Sequence, residues 1–318
     1  MNSAMTEKII ELDRTLKQTL TIGFSPVKDT RSDAIRSFCD ELVDLSTRIQ
    51  LKIDPDEDGI LPAILVGSGL RYQAAPTGSE LEPFFEALRM VNQPAPPEIV
   101  QAVRPVAIPV DIKIFVAPQC SFCPGVVKQM LPLPFANQNI RLTVIDSFLF
   151  SELSEKWNVK SVPTVILDGR FRWTGSVPRT ELIEAMIQRD PAALGAPILE
   201  RMILEGNAFQ LAEMMMTAEK IFPAFIDLLV SDQFSIRLGA MAAMEQIADS
   251  APAVGEQIIE TLNDRFTELS DQIKGDVLYV FGELKSPKAL AFIKQVIDGD
   301  YDPEVIEAAE DALENYHH

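Results

Sequence analysis

A Cys-x-x-Cys set between a strand and a helix limits what this chain can fold into more than any other feature. Cys120-Ser121-Phe122-Cys123 follows the alternating run Asp111-Ile112-Lys113-Ile114-Phe115-Val116, which predicts a strand. It precedes Pro124-Gly125-Val126-Val127-Lys128-Gln129-Met130, which predicts the start of a helix. A further strand opens downstream through Ser161-Val162-Pro163-Thr164. A dithiol at such a junction points to redox chemistry rather than to a structural staple. With Cys120 at the helix N-terminus, the free N–H groups and the positive helix end favour thiolate over thiol, making Cys120 the attacking sulfur. Cys123, one turn deeper, is the expected resolving thiol. Pro124 lacks an N–H, and the first turn is where that loss costs least.

Val162-Pro163 forms the second half of the expected site. An X-Pro at the head of a strand beside the dithiol suggests a cis bond, leaving the Val162 backbone free to pair with an extended substrate. The loop at Gly175-Ser176 is expected to make the other wall. With Pro118, Gln119 and Phe122 it outlines a shallow groove suited to a protein thiol. Other chemistries fit less well. A closed zinc site needs four ligands, and the chain has three cysteines and two histidines, His317 and His318, at its extreme end. An iron–sulfur carrier using Cys120 with external thiols is a weaker alternative. Cys39 falls on the apolar stripe of a predicted helix and reads as core. Asp146 reads as a turn or cap residue, Trp157 and Trp173 as packing residues, and Met214-Met215-Met216 as helical core. No metal and no cofactor beyond the Cys120–Cys123 disulfide is expected.

Three cysteines are too few for a disulfide scaffold and suit a reducing compartment. No apolar run is long enough to span a membrane, and residues 1–10 lack the pattern of a secretory signal, so the cytoplasm is the expected location. The net charge of −19 is uneven: residues 1–106 carry −5, residues 107–192 carry +1, and residues 193–318 carry −15. Nucleic acid is an improbable partner for such a surface. The acidic final third is either a solubilising surface or a docking face for a basic protein patch.

At 318 residues, two or three domains are expected. Residues 1–94 read helix, strand, helix, strand, strand, helix. Helices are expected over 6–20, after a cap at Ser32 or Asp33, and over 80–91. Strands are expected over 20–24, 49–53 and 60–66, with a turn at 54–59. Residues 95–190 repeat that order: a short helix over 97–103, strands over 111–116 and 140–145, and a helix over 151–157. A hairpin over Asp168-Gly169-Arg170 and a closing helix over 180–188 complete it. The repetition implies an internal duplication. From Pro191 strand signals stop. Ser286-Pro287 and Asp302-Pro303 each place a cap before a first-turn proline. The related stretches beginning at Ile236, Ile273 and Val305 recur at spacings of 37 and 32 residues, implying about four helix pairs in a short α-solenoid over 191–318.

These residues resemble a known family. Gln119 to Val127, Val144-Ile145-Asp146, Trp157-Asn158-Val159 and Val162-Pro163-Thr164 look like the tandem thioredoxin-fold proteins. That family includes the N-terminal domain of the flavin-dependent alkyl hydroperoxide reductase subunit and the archaeal protein disulfide oxidoreductases. Leu61 to Val66 and Ala75-Pro76-Thr77-Gly78 resemble the family's degenerate first repeat. The resemblance covers roughly residues 6–190 and implies an α/β fold of two thioredoxin-like (glutaredoxin-like) repeats. It implies Cys120 as nucleophile, Cys123 as resolving thiol and Pro163 as the cis-proline. Protein thiols or disulfides, a peroxiredoxin among them, are the implied clients. No dinucleotide-binding fingerprint follows any strand, so electrons must come from an external reductase. The first repeat has no cysteine over 25–30 and is expected to be redox-silent. The last third resembles HEAT repeats and is expected to dock a protein. The reading is a protein disulfide oxidoreductase of undetermined direction; the rival reading is a binding scaffold in which the dithiol is structural or a redox switch.

Overall fold

The computed structural model describes residues 3–53 and 61–316. The predicted turn at 54–59, Ile60, and both histidines lie outside the described residues. The chain divides into two compact units, Met1–Gln188 and Arg189–His318.

The first unit runs α1 (Ser3–Thr15), β1 (Leu20–Ser25), α2 (Thr30–Asp44), β2 (Ile49–Ile53), β3 (Ala63–Val66), β4 (Leu70–Gln73) and α3 (Leu81–Met90). It continues with α4 (Pro97–Val103), β5 (Val110–Val116), α5 (Cys123–Met130), α6 (Pro132–Ala136), β6 (Ile140–Asp146), α7 (Ser151–Lys156), β7 (Thr164–Leu167), β8 (Phe171–Thr174) and α8 (Arg179–Gln188). The two halves pair their strands alike. In the first, β1 lies parallel to β2 and antiparallel to β3, which is antiparallel to β4. In the second, β5 lies parallel to β6 and antiparallel to β7, which is antiparallel to β8. Parallel pairing of β4 with β6, Tyr72 opposite Val144, joins them into one sheet of eight strands among the described residues, ordered β2-β1-β3-β4-β6-β5-β7-β8.

Three local features differ from expectation. Strand β4 is an addition, because Leu70-Arg71-Tyr72-Gln73 offers only two apolar positions and acquires its register from β3 and β6. The cap of α2 is Asp29 rather than Ser32 or Asp33: its carboxylate accepts the Arg31 N–H at 2.8 Å. The helix after the dithiol begins at Cys123, so Cys120 precedes it by three residues and lies in the loop.

The second unit is all-helical among its described residues: α9 (Ala196–Leu204), α10 (Ala208–Thr217), α11 (Pro223–Leu229), α12 (Phe234–Ser250), α13 (Pro252–Gly255), α14 (Ile258–Arg265), α15 (Asp271–Leu284), α16 (Pro287–Ile297) and α17 (Pro303–Glu314). The predicted caps are in place: Ser286 Oγ accepts the Lys288 N–H at 3.3 Å, and Asp302 Oδ1 accepts the Glu304 N–H at 3.1 Å. Helix α12 packs on α15 and α15 on α17, while α14 packs on α11 and on α16. Gly282 lets α15 approach α17: a Cβ there would stand 3.1 Å from the Ala312 carbonyl. Arg237, buried on α12, pairs through Nε with Asp276 of α15 at 2.5 Å and donates to the Ser231 carbonyl at 2.6 Å. Met215 is core, with Met214 and Met216 half-buried.

Candidate active site

Parallel strands β5 and β6 end side by side, Val116 opposite Asp146, and the loops that leave them build the site. The first loop carries Cys120 and Cys123, joined as a disulfide with Cα atoms 5.5 Å apart. Cys123 is buried as the first residue of α5, while Cys120 is half-buried. The Cys123 N–H donates to Cys120 Sγ at 3.1 Å, so the helix start favours charge on that sulfur although Cys120 itself lies outside the helix. The Val162–Pro163 peptide is cis, and the Val162 carbonyl oxygen stands 3.8 Å from Cys120 Sγ. The Gly175 N–H donates to the Pro163 carbonyl at 2.8 Å, placing the end of β8 beside the proline. Gly175 has φ +86°, which disfavours a side chain there.

Of the groove residues expected from sequence, the fold brings Val162, Pro163 and Gly175 to the dithiol. Phe122, between the cysteines, is 78% exposed, and Gln119 and Ser176 are exposed. Phe148, on the loop leaving β6 at the same end of the β5–β6 pair, is 73% exposed. Pro118 faces inward in part: its carbonyl accepts the Ser79 N–H at 3.2 Å and the Ser79 hydroxyl at 2.8 Å. Gly78, at φ +59°, permits this close approach, since a Cβ would meet the Pro118 carbonyl oxygen at 2.8 Å.

That contact brings in a residue whose sequence position marks only a helix start. Glu80 ends a 3₁₀ turn (Gly78–Glu80) that packs on α5. Its side chain is 3% exposed, and neither carboxylate oxygen has a hydrogen-bond partner among the described residues. Burial first, and then the Asp146 carboxylate, push its pKa from 4.5 up to about 7. Asp146 itself is a turn residue, its Oδ1 accepting the N–H groups of Phe148 at 2.9 Å and Leu149 at 3.2 Å. A sequence signal for Glu80 existed. It stands four residues before Phe84 and eight before Leu88, in line with the buried stripe of α3 from the position just before that helix, where an unpaired carboxylate is costly.

In the first half, Arg31 lies in the first turn of α2. Its guanidinium pairs with Asp29 and Glu152 and lies 4.5 Å from the centre of the Phe150 ring. Cys39, the free cysteine, is core; burial pushes its thiol up to about 12. Trp157 and Trp173 pack against the core, and Trp173 Nε1 donates to Glu181 at 2.8 Å. Among the described residues no group of three or more His, Cys, Asp or Glu is gathered where a metal ion could sit. No helix among them is long and apolar enough to cross a membrane.

Residues 110–188 match the thioredoxin domain family. The F subunit of the Staphylococcus epidermidis alkyl hydroperoxide reductase is 26% identical over 178 residues, which are 54% of this chain and 34% of that protein. A Bacillus subtilis protein named NADH dehydrogenase is 25% identical over 179 residues, 54% of this chain and 35% of its own length. The chain thus spans about a third of the length of these curated relatives. Among solved structures, the N-terminal domain of alkylhydroperoxide reductase AhpF from Enterococcus faecalis superposes with a TM-score of 0.50 at 25% identity. The match covers 58% of this chain and 99% of that domain. A protein disulfide oxidoreductase from Aeropyrum pernix shares the fold, with a TM-score of 0.52 at 14% identity over 58% of this chain and 92% of that one. The N-terminal half is a thioredoxin-like α/β domain resembling these proteins.

Proposed function

We propose that the chain is a thiol–disulfide oxidoreductase acting on protein clients through Cys120 and Cys123. The observation that carries this reading is the disulfide itself, one sulfur buried at a helix start and the other half-exposed beside the Val162 carbonyl. In the reducing direction, the Cys120 thiolate attacks a client disulfide, whose S–S bond breaks as one client sulfur leaves with the electron pair. Cys123 then gives its proton to the Glu80 carboxylate and attacks Cys120 Sγ. The second client sulfur leaves and takes a proton, and Cys120–Cys123 is left oxidised. A dithiol protein acting as external reductase restores the pair. The buried carboxylate with no competing partner, on a turn packed against the Cys123 helix, supports this role for Glu80.

The half-buried Val162 beside Cys120 supports main-chain pairing with a client strand, with Pro118, Gln119, Phe122, Gly175 and Ser176 lining the approach. The similarity to alkyl hydroperoxide reductase supports a peroxiredoxin as one such client, and a chain with three cysteines suits the reducing cytoplasm. For the helical unit we favour HEAT-like helix pairs that dock a partner of basic surface. Helices α12, α15 and α17 pack in succession, and residues 193–318 carry a net charge of −15.

The test is the reduction potential of the Cys120–Cys123 couple, by equilibration in thiol buffers and alkylation trapping. A reversible two-electron couple supports the enzyme: near about −270 mV it would be a reductant relay, at roughly −180 mV or above an oxidase or isomerase. Absence of a reversible couple would overturn the enzyme reading and leave a binding scaffold.

A further inference from the structure

Tyr72 is a polar group buried near Glu80 for which the chemistry above has no use. It lies on β4 opposite Val144 of β6, two residues before Asp146. Its ring meets Phe84 edge-on, centroids 5.1 Å apart, and Phe84 sits one helical turn beyond Glu80. The side chain is fully buried, and the hydroxyl, like both oxygens of Glu80, has no hydrogen-bond partner among the described residues. Burial, then the Glu80 and Glu86 carboxylates, hold the phenol well above its ordinary range, so it stays a proton donor at all working pH. Two buried polar groups, one obliged to donate and one able to accept, with no other partner, constitute the usual setting of a bridging buried water.

The geometry points to Tyr72 as a positioning residue that, through one bridging water, donates towards the Glu80 carboxylate and so sets the pH at which Glu80 can receive the Cys123 proton. This rests on the proton-acceptor role given to Glu80 above. The other charged groups around Glu80 cannot substitute for that donor. Asp146 on β6 is itself a carboxylate, and Glu82 and Glu86 on α3 are ion-paired with Arg89 and with Lys128 of α5. From α5 itself, the nearest ionisable group of the mechanism is Cys123, held in the disulfide. A donor of this kind favours the ionised carboxylate; its loss raises the carboxyl midpoint. The redox-silent half then supplies both proton-handling groups for a dithiol that lies wholly in the other half.

Tyr72→Phe in the full chain tests it. With ¹³C-labelled glutamate, the Glu80 carboxyl resonance, assigned by its loss in Glu80→Gln, is titrated in the oxidised protein. Tyr72→Phe should move its midpoint upward by about half to one pH unit. The rate at which reduced protein reacts with glutathione disulfide should show the same displacement along the pH axis. In the Glu80→Gln background, Tyr72→Phe should leave that profile unmoved. An unmoved Glu80 midpoint in a folded Tyr72→Phe protein would overturn the proposal. A moved midpoint with a rate profile indifferent to Glu80 would keep the Tyr72–Glu80 coupling and sink the acceptor role instead.

Discussion

Glu80→Gln preserves the size of the buried side chain and removes its titration, which makes the pH dependence of stability a direct reading of the site. In the folded protein the carboxyl titrates at about 7, against an ordinary 4.5. Because ionisation is harder in the folded state, Glu80 favours folding only while protonated. That contribution is complete below about 4.5 and is lost as the pH climbs through about 7. At about 1.4 kcal/mol for each pH unit between the two midpoints, the wild type should lose about 2.5 kcal/mol relative to Glu80→Gln between pH 5 and pH 8. A fixed offset from burying the amide is expected and does not depend on pH. The assay is urea unfolding of the oxidised proteins across that range, followed by tryptophan fluorescence. Trp157 and Trp173, the only tryptophans in the chain, both lie in the first unit, so the signal reports that unit alone. A difference between the two proteins that stays constant to within about 0.5 kcal/mol from pH 5 to pH 8 would refute the burial argument.

Other outcomes follow from the same structure. Cys120→Ser should abolish dithiol turnover, whereas Cys123→Ser should accumulate a client mixed disulfide, detectable on non-reducing gels and reversed by dithiothreitol. Phe84→Ala, which empties a site packed by Phe38, Tyr72 and Phe85, should cost about 3–5 kcal/mol in urea unfolding of the first unit. Gly78→Ala should cost more than about 1 kcal/mol, and it should speed alkylation of the reduced dithiol by loosening the Ser79–Pro118 contact. Arg237→Ala should destabilise the helical unit by about 3–5 kcal/mol, seen as a lowered transition in far-ultraviolet circular dichroism.

The sequence made the elements around the dithiol legible because each carries its own signal. Val110 to Val116 alternates before the cysteines, Pro163 heads β7, and Gly169 turns the hairpin at φ +71°. The repeated order of elements was legible for the same reason, and the strands of the two halves pair alike. What could not be read depends on residues distant in the chain. Strand β4 exists because β3 and β6 flank it, and the Glu80 turn lies against α5 with Ser79 bonded to the Pro118 carbonyl. The helix starts at Cys123 rather than Cys120 because Pro124 has no N–H for the fifth position of a helix begun at Cys120, and the Cys120 N–H instead closes a turn on Ala117 at 3.0 Å. In the last third, the caps at Ser286 and Asp302 could be read locally, but the placing of Arg237 against Asp276 could not, as 39 residues separate the pair.

The seam between β4 and β6 has a consequence for anyone who would cut the chain. Strand β6 is buried along almost its whole length, from Ile140 to Asp146, and one of its two edges is covered only by β4. Severing the two copies would leave that edge as an apolar template with open backbone donors and acceptors. The cysteine-bearing copy made alone should therefore recruit a second molecule along β6, or aggregate there. The first half acts in this sense as a permanently attached chaperone.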